Sequence, residues 1–147
     1  MEITLTEFEK KDKEAVKDFI QKAFKEFGYV DSAPDLDDIF SYYFDTGGVF
    51  YVLKNETNVI GTIAVINLGE GVAELKKLYV EKSYQRHGFG QQLLTKAISF
   101  YVDNNFNLIK VKTDVRMQTA HRLYEKNKFM RTGEDEEFVY MERKLSM

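Results

Sequence analysis

The sequence predicts a single α+β domain: one central mixed, mostly antiparallel twisted sheet flanked by about four helices. Three observations carry that prediction. Two apolar patterns at helical spacing lie near the start, strand-like runs separated by short turns fill the middle, and the remainder alternates strand, helix, strand, helix, strand. The 147 residues suffice for one core and are few for two. No linker, repeat or low-complexity tract divides them, so residues 1–147 are expected to form one domain.

Residues 2–8 alternate, with Ile3 and Leu5 on one face, as a short strand does. Val16, Phe19, Ile20, Ala23, Phe24 and Phe27 then recur at helical spacing, and Gly28 is placed to end that helix. A second helix is expected next, with Ser32 as N-cap and Pro34, the only proline, in its first turn, where no amide hydrogen is needed. Leu36, Ile39, Phe40, Tyr43 and Phe44 would form its apolar face.

"GVFYVLK" and "VIGTIAVINL" flank "NETN" and read as an antiparallel hairpin. A Gly69-Glu70-Gly71 turn leads into a third strand, "VAELKKLYV", whose alternation places Glu74, Lys76 and Leu78 on one face and Leu75, Lys77 and Tyr79 on the other. A glycine loop follows, then a helix whose buried face is Leu93, Leu94, Ala97, Ile98, Tyr101 and Val102. "LIKVKTD" is another strand. "TAHRLYEKN" is a short helix with Ala120, Leu123 and Tyr124 on one side, and the alternating "EFVYMERKL" closes the chain.

Composition narrows the function classes. Hydrophobic residues at 44% and charged residues at 31% fit a folded globular protein. A net charge of -3 argues against general nucleic-acid binding, which wants a basic surface. With no cysteine, thiol nucleophiles and thiolate metal sites are excluded, and the two histidines show no metal-ligand spacing. The N-terminus lacks the apolar core of a signal peptide, and no apolar stretch is long enough to span a bilayer, so a cytoplasmic location is the default expectation.

The chemistry sits in "YQRHGFGQQLL", Tyr84 to Leu94. A glycine-rich turn feeding a helix presents backbone amides without intrahelical partners, at the positive end of the helix dipole, which suits a phosphate. Gly88 and Gly90 would let phosphate oxygens approach, with Arg86 and His87 at the rim. It is not a P-loop, since Gln91-Gln92 stands where Lys-Ser/Thr would be, nor a dinucleotide fingerprint, since the third glycine is Leu93. A tight turn that uses glycine for geometry alone remains the competing interpretation of the loop by itself.

The surroundings weigh against that alternative. Gln85-Arg86-His87-Gly88-Phe89-Gly90 resembles the Gln/Arg-x-x-Gly-x-Gly/Ala signature of the GCN5-related N-acetyltransferases, "AELKKLYV" resembles the strand that enters their loop, and "TAHRLYEKNKF" resembles their Ala-x-x-Leu-Tyr-x-x-x-Gly-Phe segment. The order of elements is also that family's, so the resemblance covers nearly the whole chain. Two positions depart: Met117 stands where Asn is frequent, and Lys128 where glycine is usual, leaving Asn127 as the expected left-handed residue ending the helix.

The resemblance implies an acetyl-CoA-dependent N-acetyltransferase acting on a primary amine by direct attack on the thioester. A non-catalytic acyl-CoA-binding or regulatory domain of the same fold is the alternative. It implies that Gln85, Arg86, His87, Gly88, Phe89 and Gly90 hold the cofactor pyrophosphate. The backbone of Leu78, Tyr79 and Val80 would pair with the pantetheine amides, as an added strand would. An alkyl amine near pKa ~10.4 is free base in about one molecule in a thousand at pH 7, so a base is useful. Glu74 is the candidate base, against the alternative that it only pairs with a lysine. Tyr124 is the candidate acid. A phenol near pKa ~10 is weaker than a thiol near ~8.5, so hydrogen bonding to the developing thiolate is its safer role.

His87 and His121 read as an exposed loop residue and a surface position. Asp31, Asp35, Asp37 and Asp38 raise the expectation of a cationic acceptor, against helix capping alone. No metal, nucleic acid or membrane partner is expected. Dimers are common in the resembling family, which leaves a homodimer open.

Overall fold

β2 (Val49–Asn55) and β3 (Asn58–Gly69) are apolar at nearly every position, a pattern that suits strands buried on both faces. The computed structural model describes residues 2–26, 28 and 34–145 and places both strands inside the sheet. Among the described residues seven strands form one mixed sheet. The others are β1 (Ile3–Glu7), β4 (Val72–Val80), β5 (Leu108–Asp114), β6 (Met130–Glu134) and β7 (Phe138–Lys144), in the spatial order β1-β2-β3-β4-β5-β7-β6. Every neighbouring pair is antiparallel except β4 with β5.

Helices cover the two faces separately. α1 (Lys13–Glu26) and the segment 34–44 bury Val16, Ile20, Leu36, Ile39 and Tyr43 against Phe50, Val52 and Ala64. α2 (Phe89–Asp103) and α3 (Gln118–Lys126) bury Leu93, Leu94, Ala97 and Tyr124 against Leu53, Ile63, Val65 and Leu75 on the other face. Complete burial of an aliphatic side chain contributes about 1.5–3 kcal/mol, so these two layers hold the sheet between them. Asp12 ends the 3₁₀ turn that leads into α1: its carboxylate accepts the Glu9 amide at 2.9 Å and takes the Lys54 ammonium at 2.5 Å. Gly28 follows α1 with φ of +76°, as its expected role as helix terminator requires.

The structure corrects several expectations. The second helix is not an α-helix: Pro34–Asp37 is a 3₁₀ turn and Phe40–Phe44 a single π turn, so helix-spaced apolar residues pack without regular i to i−4 bonding. Phe40 is exposed there, and Val102 is exposed on α2. The expected cap Ser32, together with Phe27 and Asp31, lies outside the described residues. β6 had no sequence signal, because its side chains are exposed throughout and nothing alternates.

β4 carries a further correction. Thr62 pairs with Tyr79 and Ala64 with Lys76, so Lys77 and Leu78 together face one residue of β3. Lys77 takes φ of +61° to make this bulge. Beyond it the faces exchange: Leu78 and Val80 pack with the α2 layer and Tyr79 with the α1 layer. Leu78 therefore shares the face of Leu75, not that of Glu74.

Candidate active site

The pairing of β4 with β5 stops at Leu75↔Val111. From there β4 bends through its bulge while β5 continues along β7, and a cleft of about 260 Å³ opens between them. Phe24, Lys76, Lys77, Tyr79, Lys112 and Tyr124 are among its walls. Leu78 and Tyr79 thus present a strand edge that pairs with β3 on one side and has no β5 partner among the described residues on the other. The Val80 carbonyl is already capped, since the Gln85 amide donates to it at 2.9 Å.

The glycine loop lies at the start of α2. Gly88 is the N-cap, with φ of +83°, and an added Cβ there would meet nothing within 4 Å. Arg86 also has positive φ, +67°. Residues 85–88 are exposed, so the loop opens outward. The first helical bond runs from the Gln92 amide to the Gly88 carbonyl at 3.1 Å, so the amides of Phe89, Gly90 and Gln91 have no intrahelical acceptor. That open space and those donors fit a pyrophosphate. Phe89 can offer only its backbone, because its ring is in the core. His87 is exposed, as its position in the loop predicts.

Tyr124 reaches the cleft from α3, and the end of that helix fixes its place. The Phe129 amide donates to the Tyr124 carbonyl at 3.1 Å and the Lys128 amide to the Glu125 carbonyl at 3.2 Å, with the Phe129 and Tyr124 ring centroids 5.5 Å apart. This is a Schellman ending with its hydrophobic contact. The left-handed residue is Lys128, at φ of +72°, and not Asn127. The glycine conformation is kept without the glycine. Burial, and then the neighbouring Tyr79 phenol, push the Tyr124 hydroxyl well above the usual tyrosine range. No buried polar side-chain atom is left unsatisfied among the described residues, and Tyr124 has no hydrogen-bond partner among them, so its hydroxyl opens onto the cleft.

His121 corrects an expectation. It is buried, not on the surface, and its Nε2 lies 3.0 Å from the Asp114 carbonyl at the end of β5. It ties α3 to that strand three residues before Tyr124.

Glu74 does not line the Tyr124 cleft. It borders a neighbouring groove of about 430 Å³ with Lys110, Tyr140 and Glu142, and Val111 and Lys112 line both cavities. Its Oε1 is 3.7 Å from the Lys76 ammonium, a loose ion pair between two partly exposed side chains. The described aspartates are also committed locally. Asp35 is buried, accepting from the Tyr43 hydroxyl at 2.5 Å and facing the Lys77 ammonium at 3.4 Å. Asp37 bonds Lys17 at 2.9 Å, and Asp38 takes the Ser41 amide and hydroxyl. Asp35 and Asp37 lie in the first turn of the 3₁₀ segment and Asp38 caps the turn that follows it, so the capping interpretation holds for part of the cluster. Lys77 escapes sequence reading because the bulge that brings it to the cleft has no sequence signal.

Comparison with known proteins shows the family and the fold. A profile described as "Acetyltransferase (GNAT) family" matches residues 14–129. An N-acetylaspartate synthetase from Danio rerio is 31% identical over 115 residues, covering 76% of this chain and 41% of that protein. The chain therefore spans well under half the length of that relative. A GNAT-family acetyltransferase structure from Staphylococcus aureus Mu50 superposes with a TM-score of 0.89 at 28% identity, covering 99% of this chain and 100% of that one. The PaiA N-acetyltransferase of Thermoplasma acidophilum, solved in complex with coenzyme A, shares the fold at a TM-score of 0.78 and 17% identity, over 99% of this chain and 100% of its own.

Proposed function

From the premise that this chain belongs to the acetyltransferase (GNAT) family, we propose that it transfers the acetyl group of acetyl-CoA to a primary amine. One observation carries the reading. The gap that starts at Leu75↔Val111 exposes the Leu78–Tyr79 edge and is walled by Tyr124, and the partnerless amides of Phe89, Gly90 and Gln91 belong to the helix packed on the same face as Tyr124. An extended amide-bearing arm suits the edge, and a diphosphate suits the helix start.

Acetyl-CoA supplies an activated thioester; the chain supplies position and proton management. The amides of residues 89–91 hold the pyrophosphate, with Gln85, Arg86 and His87 around the loop. Leu78 orients the arm through its backbone, whereas Tyr79, paired with Thr62, turns its own backbone groups to β3 and borders the cleft with its side chain. Val80 contributes its amide more readily than its carbonyl, which Gln85 already occupies. The raised pKa of Tyr124 keeps its hydroxyl protonated, so it stays a hydrogen-bond donor toward a departing thiolate. Glu74 borders the adjoining groove, so it takes the amine proton through water and not by direct contact.

The experiment is thiol release from acetyl-CoA on addition of amines. Amine-dependent release supports catalysis. Binding of acetyl-CoA with no amine-dependent release would support a non-catalytic acyl-CoA-binding domain instead.

A further inference from the structure

We infer that the acceptor amine also carries a carboxylate, and that Lys76 and Lys112 select it. The inference rests on the acetyltransferase reading and names the acceptor class for the same cleft.

Lys76 and Lys112 are the first residues after the last β4–β5 pair, one on each lip where the strands part. Both face the α1 side of the sheet. Lys76 is beside Glu74 there, and the Lys112 ammonium lies 4.4 Å from the Phe138 ring centroid. α2, which carries the glycine loop, packs on the opposite face. The two ammonium groups are therefore across the sheet from the pyrophosphate amides and meet what enters from the α1 side.

The local charge favours an anion. Three lysines and one aspartate line the cleft, in a chain of net charge -3. That aspartate, Asp114, is held by the Arg116 amide and guanidinium at 2.8 Å each. Lys77 is offset by Asp35, and Lys76 is only loosely offset by Glu74 at 3.7 Å. The Phe138 ring holds the Lys112 ammonium, and the nearby Asp135 carboxylate, which offsets it in part, is itself occupied by the Glu137 and Phe138 amides and the Tyr140 hydroxyl. A carboxylate held between Lys76 and Lys112 places its amine at the cleft, and nearby positive charge disfavours the protonated amine, the form that cannot attack. Among the described residues, the aspartates that would instead draw a polycation, Asp35, Asp37 and Asp38, are engaged by Tyr43, Lys17 and Ser41.

The test measures thiol release from acetyl-CoA with methionine and phenylalanine, each as free acid and as carboxamide, with aspartate and glutamate as free acids and as diamides, and with spermidine as a carboxylate-free polyamine. The free acids should exceed their amides by about tenfold in kcat/KM, chiefly through KM, as loss of a charge-assisted contact gives. Lys112→Gln and Lys76→Gln should narrow that ratio by raising KM for the acids alone, and Lys112→Arg should preserve it. Amides or spermidine used as well as the acids, or variants that depress both series equally, would overturn the inference and leave acetyl transfer standing. No release with any acceptor would overturn acetyl transfer, and this inference with it.

Discussion

Gln91 and Asn127 exchange two side-chain amide hydrogen bonds, each 2.9 Å, joining the first turn of α2 to the residue that caps α3. Asn127 also donates to the Leu123 carbonyl at 2.8 Å. The helix that carries the glycine loop and the helix that carries Tyr124 are thus bolted together beside the cleft. Each neutral hydrogen bond contributes about 0.5–1.5 kcal/mol. Gln91→Ala and Asn127→Ala should each lower stability by about 1–2 kcal/mol, and the double variant by clearly less than their sum. Strict additivity in a denaturant-measured cycle would show that the pair is not coupled.

Gly88 and Gly90 should separate binding from folding. A side chain at Gly88 must adopt a left-handed φ, so Gly88→Val costs stability as well as affinity. At Gly90 an added Cβ meets only Leu123 Cδ2, at 3.5 Å, an ordinary contact. Gly90→Ala should therefore keep the thermal midpoint within a few degrees while weakening acetyl-CoA binding about tenfold or more. Calorimetry on the folded variant decides; undiminished affinity would remove the phosphate from this loop.

Tyr124→Phe keeps the ring against Phe129 and removes only the hydroxyl. A hydrogen bond to a charged leaving group is worth about 1.5–3 kcal/mol, so turnover should fall about 10- to 100-fold with acetyl-CoA affinity unchanged. The same group predicts an alkaline effect. Its folded pKa is raised, mainly by burial, above the unfolded value near ~10, so above that pH the unfolded chain releases a proton that the folded chain retains. The corresponding stability is intact below about pH 10 and is lost as pH rises beyond it. Tyr124→Phe should flatten that decline; an unchanged slope would show that the phenol is not held protonated by the fold.

Lys128→Gly should stabilise. A non-glycine residue at left-handed φ costs about 1–2 kcal/mol, while glycine adds about 0.5–1 kcal/mol of unfolded-state entropy. Strain outweighs entropy, and the net gain should be about 0.5–1 kcal/mol by denaturant titration. A loss would mean that the Lys128 side chain makes contacts that outweigh its backbone strain.

What was legible in the sequence follows the apolar pattern. β2 and β3 are continuous apolar runs bounded by turn residues and α2 repeats apolar residues at helical spacing, so their positions are readable within a residue or two. The glycine loop was readable because its residue types are dictated by backbone conformation. β6 was not, because a fully exposed edge strand such as Met130–Glu134 needs no apolar alternation. The segment 34–44 carries a helical apolar period but is closed by a 3₁₀ and a π turn, a choice set by tertiary packing around Tyr43 and Asp35. The bulge at Lys77 is the costliest omission, because a one-residue insertion in pairing leaves no trace in residue types. It moves Leu78 to the other face and brings Lys77 to the cleft. His121 was misplaced for a similar reason: a polar residue on a short helix looks exposed until its carbonyl partner on β5 is known.

The most direct measurement of the central claim is the stoichiometry of amine-dependent turnover. With acetyl-CoA and an accepted amine, free thiol and N-acetylated amine should appear in equal amounts by colorimetry and mass spectrometry, and Tyr124→Phe should slow both together. Acetyl-CoA that binds, yet releases thiol at the same rate with and without amine and yields no N-acetyl product, would contradict the account.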